Sequence, residues 1–161
     1  MMWQGERNDE TFRLNSPMTY TYAERKMAIV LSSAMPAGMA SNACAHLSVS
    51  LGYRLGHGDM GKAAASSDGV TFPAIIKYAI VTLVASPGKT HRIARLAQDD
   101  GDVLFAHFTE DMLHTESDDD LREAIRHKSF DQIAHLGVAL YGPTERVKAL
   151  TRGLSLWGRS A

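Results

Sequence analysis

Apolar positions in this chain fall either in short unbroken runs or in longer stretches where they recur every three or four residues. The first run, residues 26–32 (KMAIVLS), has the continuous apolar character of a strand covered on both faces. After Pro36 and Gly38 the period changes. Ala40, Cys44, Leu47, Leu51 and Leu55 are spaced for one face of a helix over residues 37–55. The many small side chains on that segment allow it to lie close to a sheet, and Gly56 and Gly58 are placed to end it.

Residues 61–73 are small and turn-forming, with a tight turn at Ser66-Ser67-Asp68-Gly69 and room for only a short strand. Residues 76–85 (IKYAIVTLVA) carry the strongest β pattern, apolar on both alternations, which predicts a central strand with helices on each side. Ser86, Pro87 and Gly88 open a helix that reaches Asp100, with Ile93, Leu96 and Ala97 inward, Lys89, Arg92 and Arg95 outward, and Gly101 as its cap. Residues 103–108 (VLFAHF) read as a third strand. Asp118 then caps a helix to His127 whose apolar pair is Leu121 and Ile125. Residues 133–141 (IAHLGVALY) are a fourth strand, stopped by Gly142 and Pro143, and a closing helix buries Val147 and Leu150. The alternation of strands and helices predicts a layered α/β fold. Its single domain has a four-stranded sheet, mixed or parallel, covered by helices on both faces.

Composition narrows this picture. A chain of 161 residues needs one core, and 45% hydrophobic with 22% charged residues is an ordinary globular balance. Residues 1–25 are polar and read as a flexible leader before a domain over residues 26–161, with Met18 and Met27 as candidate starts. The leader lacks the positive and then apolar pattern of a secretory signal. Lys plus Arg number 17 against 18 Asp plus Glu, so bulk charge exerts no pull toward a nucleic acid. Cys44 stands alone and can form no internal disulfide, and no apolar run reaches the roughly 20 residues that span a bilayer. A cytoplasmic location, with no membrane partner, is the expectation.

Candidate chemistry centres on the first helix. Its start follows a strand and a Pro/Gly loop, which aims unpaired N–H groups at one spot. It matches no phosphate-loop or dinucleotide fingerprint, so no cofactor is implied. Met39, Asn42 and His46 share one stripe beside the core stripe and are placed to line a pocket. His46 is there a candidate general base, against the simpler reading of a helix residue at the edge of the core. Cys44 reads as inert packing. The seven histidines show no HExxH or paired spacing, so no metal is expected. His107 and His114 could approach across a loop with Asp111 supplying an oxygen, but with such loose spacing ordinary strand-end and loop histidines are the better explanation. Residues 109–123 hold seven acids, most simply a solvated helix start. No Gly-x-Ser-x-Gly elbow is present.

The frame Gly38-Met39-Ala40-Ser41-Asn42-Ala43-Cys44-Ala45-His46-Leu47 resembles the Gly-Lys-x-Ala-Ala-Gln-Cys-x-His-Ala frame of the type II peptidyl-tRNA hydrolases, with glycine, cysteine and histidine in register. Tyr141-Gly142-Pro143 and Leu154 with Leu156 match that family's Gly-Pro, closing helix and final strand. Over residues 26–157 the chain is similar to the domain-of-unknown-function two-thousand family. That likeness rests on IVLSSAMPAGMASNACAHL, on Phe108-Thr109-Glu110-Asp111-Met112 with Thr115, and on LGVALYGP. The resemblance implies a peptidyl-tRNA hydrolase II-like fold with His46 as its catalytic candidate. The stripe beside the Gly38 loop leads to the expectation of a small-molecule or peptide-like ligand at the start of the first helix, with Gly38, Met39, Asn42, Thr109, Asp111 and Thr115 as its contacts. Met39 stands where the hydrolases have lysine, and only Asp131-Gln132 stands where they carry Asp and Thr. Those departures and the balanced charge weigh against tRNA as the substrate. Two further expectations follow. One is hydrolysis of peptidyl-tRNA or a related ester, using a basic surface of Lys89, Arg92 and Arg95 or of Arg146, Lys148 and Arg152. The other is a non-enzymatic homodimer or partner-binding module presenting a sheet edge or the acidic segment.

Overall fold

A computed structural model describes residues 23–158, and the leader expected over the first 25 residues lies outside it up to residue 22. The first apolar run becomes β1, Arg25–Ser32, buried on both faces from Met27 onward. Met27, Ile29 and Leu31 enter one core with Leu47 and Leu51 of α1, Ala37–Gly52. Ala28 and Val30 enter a second core with Ile93, Ala94 and Ala97 of α2, Pro87–Gln98, and Val147 of α4, Thr144–Leu150. Helices therefore cover both faces, and each fully buried Leu or Ile contributes roughly 1.5–3 kcal/mol.

The sheet has five strands among the described residues rather than four, in the order β5-β6-β1-β4-β7. These are β5, Leu104–Thr109, β6, His135–Pro143, β4, Ile80–Ala85, and β7, Ser155–Leu156. Only β1 and β4 run parallel, and the other pairings are antiparallel, so the sheet is mixed. The extra strand, β7, pairs Leu83 with Leu156 and Val84 with Ser155, too few residues to create a period. Between α1 and β4 a separate hairpin joins β2, Ala64–Ala65, to β3, Thr71–Phe72, around Gly69 at a φ of 87°. Only glycine adopts that angle without strain.

Several expectations are corrected. Residues 76–85 do not form the central strand: β4 starts at Ile80, lies between β1 and β7, and leaves Ile80 exposed. Its apolar prelude does other work, since Tyr78 packs into the α1-side core and Ile76 bridges Met60. The interior positions with complete burial belong to β1 and β6. Helix α1 stops at Gly52 with Tyr53 as its cap, ahead of Gly56, and Leu55 reaches the core from the following loop. Ala43 takes the buried position expected of Cys44, which is only partly buried. Helix α2 ends with Asp99 as its cap rather than Gly101, and Leu96 is 42% exposed rather than inward. The cap of α3, Asp118–Arg126, is Ser117, whose Oγ accepts from the Asp120 N–H at 3.2 Å, because a hydroxyl one residue earlier reaches the free amides. No residue of α3 is fully buried. Strand β6 begins at His135 because Phe130–Gln132 form a 3-10 turn first. No described helix is long and apolar enough to cross a membrane.

Candidate functional site

Asn42 and His46 stand on the exposed flank of α1, four residues apart, and face a cleft of about 320 Å³. A register shift between Phe108 and Thr109 ends the regular pairing of β5, and the chain then enters a 3-10 turn at Glu110–Leu113. That turn brings the start of α3 opposite α1. Phe108, Leu113 and Leu121 form the apolar part of the cleft, and Thr115, Glu116, Ser117 and Asp118 its far wall. The His46 ring lies 5.9 Å from that of Phe108, tilted by 42°. The side chains of Asn42 and His46 make no hydrogen bond or ion pair with any described residue, so their polar atoms are available to a ligand. Thr115 Oγ1 donates to the Asp111 carbonyl at 3.0 Å, which holds the turn closed.

The residues singled out from the sequence divide. Asn42, His46 and Thr115 come together in this cleft. Asp111 stands behind it: its carboxylate is paired with Lys128 and its side chain is 10% exposed. Met39 turns under the helix and packs against the α1-side core. Gly38 lies exposed in the first turn of α1, and Thr109 is buried with no partner for its Oγ1 among the described residues. Neither lines the cleft. The cleft therefore opens beside the middle turns of α1 and not at its N-terminus. Phe108 belongs to the segment expected to face Asn42 and His46, whereas Glu116, Ser117, Asp118 and Leu121 were missed as lining residues. The acidic run marked their segment, but nothing local says that α3 folds back toward α1.

A second cleft of about 410 Å³ lies at the carboxyl end of β1, where open α/β sheets commonly take ligands. It is bounded by Ser32, the first residues of α2, His91, Glu110, Asp131 and His135. Asp131 Oδ1 lies 3.3 Å from His91 Nε2 and accepts from Arg95 Nη2 at 2.8 Å. The Arg95 hydrogen bond, then that of His91, hold this carboxyl below its ordinary range. Behind it the His135 ring lies 4.6 Å from Phe130, 5.1 Å from His91 and 5.0 Å from His107. Burial pushes His135 down, and burial with the neighbouring His135 pushes His107 down to about 4. His107 meets His135 because β5 and β6 pair side by side. Positions 91, 107 and 135 share no sequence spacing that would have disclosed the cluster. No group of three or more His, Cys, Asp or Glu among the described residues is placed to hold a metal ion.

The family model described as "Protein of unknown function (DUF2000)" matches residues 25–158. The solved structure of a protein of unknown function from Agrobacterium tumefaciens superposes with a TM-score of 0.72, covering 83% of this chain and 97% of that one at 20% identity. A likeness at that identity shows the fold alone. No curated protein matches the chain.

Proposed function

We propose, on the premise that this chain belongs to the DUF2000 family, that it binds a small-molecule or peptide-like ligand in the cleft beside α1. The observation that carries this reading is the meeting of Asn42 and His46, whose side chains have no polar partner among the described residues, with Thr115 over an apolar floor. An amide and an imidazole on one wall, and the carboxylates of Glu116 and Asp118 on the other, suit a ligand with an amide or amine next to an apolar group. The volume of about 320 Å³ sits at the small end of the roughly 300–1,000 Å³ of ligand pockets, a size for a dipeptide rather than a long chain. The Gly38-to-His46 frame on a helix that follows a buried strand supports reading the architecture as peptidyl-tRNA hydrolase II-like.

A capped dipeptide series, followed through backbone amide NMR shifts, tests the site. Saturable shifts at Asn42, His46 and Thr115 are expected, lost in Asn42→Ala and His46→Ala while both variants keep the parent unfolding midpoint. Shifts that persist in both variants, or none across the series, remove the reading.

A second reading, hydrolysis of peptidyl-tRNA or a related ester, has one observation in its favour: the His46 imidazole lines the cleft with neither nitrogen hydrogen-bonded to a described residue. Release of peptide from peptidyl-tRNA, abolished in His46→Ala, would establish it.

A further inference from the structure

Two basic surfaces were open from the sequence, Lys89 with Arg92 and Arg95, or Arg146 with Lys148 and Arg152. The fold selects from both. Arg95 is taken by Asp131 at 2.8 Å, Arg146 by Asp100 at 2.6 Å and Lys148 by Glu145 at 2.9 Å. The side chains of Lys89, Arg92 and Arg152 have no ion-pair or hydrogen-bond partner among the described residues, and all three line one groove of about 220 Å³ between α2 and the end of α4. Among the described residues no acid lines that groove. Its floor is apolar, made by Ile93, Leu96, Leu150 and Leu154, and Leu96 is 42% exposed.

Three like charges held together without counter-charge repel one another and concentrate anions. An arginine pair beside an apolar floor meets a carboxylate or phosphate through charge-assisted, bidentate hydrogen bonds while water leaves the floor. We propose that this groove binds a small amphiphilic anion, its carboxylate or phosphate held by Lys89, Arg92 and Arg152 and its apolar portion lying on Ile93, Leu96 and Leu150. At about 220 Å³ the groove is smaller than the roughly 300–1,000 Å³ of pockets for drug-sized ligands, which selects a short acyl or single-ring body over a peptide helix. The site lies on the α2 and α4 face, away from Asn42 and His46, and does not depend on the ligand proposed there.

Sodium octanoate titrated into the full chain at fixed ionic strength, followed by backbone amide NMR, is the test. Octanoate is expected to shift the amides of Ile93, Leu96 and Leu150 saturably, and octylammonium is expected to leave them unmoved. Arg92→Gln combined with Arg152→Gln, and separately Leu96→Gln, are expected to weaken octanoate at least about tenfold. These side chains are exposed, so the unfolding midpoint serves as the control for folding. The proposal is overturned by equal binding of octylammonium, or by inorganic phosphate binding as tightly as octanoate, which would leave the floor without a role. It is also overturned if a short single-stranded RNA shifts these amides and octanoate does not, or if octanoate produces no saturable shift.

Discussion

The rings of His107 and His135 lie 5.0 Å apart at 67°, on the neighbouring strands β5 and β6, and Nε2 of His107 is buried with no hydrogen-bond partner among the described residues. Both rings are held in the neutral form by burial. Below its ordinary value of 6.5 the unfolded His107 binds a proton that the folded ring refuses until about 4. The stability contributed by the neutral His107 is therefore fully present above pH 6.5, falls as the pH drops through that window, and has no more to lose below about 4. After allowance for the ring's partial contact with water, the loss is about 1–2 kcal/mol. Urea midpoints at pH 7.5, 5.5 and 4.5 measure it. His107→Phe, an apolar ring among Phe105, Phe130 and His135, should flatten the profile, and an unchanged slope would place the pH dependence elsewhere.

Tyr141 Oη donates to Asp59 Oδ1 across a sequence separation of 82, and Asp59 Oδ2 accepts from the Gly56 N–H at 3.0 Å. Arg25 covers the same tyrosine ring at 4.8 Å. This contact ties the long segment after α1 to the buried strand β6. Tyr141→Phe leaves the carboxylate short of a donor and should cost about 1–3 kcal/mol. Amide exchange should speed up at Lys77, whose N–H donates to the Asp59 carbonyl at 3.1 Å. Retained protection there would show that the loop is held by other contacts.

Gly38 and Gly137 should respond oppositely to alanine. A Cβ at Gly137 would come within 3.0 Å of Leu47 Cδ1 and 3.2 Å of Leu31 Cδ2, where β6 meets α1, so Gly137→Ala should destabilise by about 1–3 kcal/mol. A Cβ at Gly38 meets nothing within 4 Å, and alanine in a helix is better by up to about 1 kcal/mol. Gly38→Ala should therefore raise the thermal midpoint. A fall in that midpoint would mean that Gly38 serves the first turn of α1 in some way its surroundings do not display.

The parts of the fold that were legible are those in which burial is uniform along an element. In β1 and β6 both faces are covered, which leaves an unbroken apolar run that survives in the sequence. The helical stripe of α1 was legible for a similar reason, although Ala43 and not Cys44 completes it, because adjacent small residues satisfy the same period. Residues 76–85 misled because an apolar run does not state its place in a sheet: Tyr78 packs into the α1-side core, Ile76 bridges Met60, and only six of these residues form β4. Strand β7 was named only through the family resemblance, since two paired residues carry no periodicity. Within the candidate cleft, the Asn42 and His46 stripe was readable from helical spacing, whereas Gly38, Met39 and Thr109 took other roles.

By itself the sequence determined the strand–loop–helix unit of β1 and α1, the helices on both faces, and the placement of Asn42 and His46 on one flank. These follow from periodicity, which is local. Tertiary structure alone decided that Glu116 and Asp118 complete the wall opposite His46, that His91 and His107 gather around His135, and that Arg152 joins Lys89 and Arg92 with no partner among the described residues. Each of these depends on which strand pairs with which and on which acid takes which base. Those choices are settled by competition among distant contacts, and no local pattern records them.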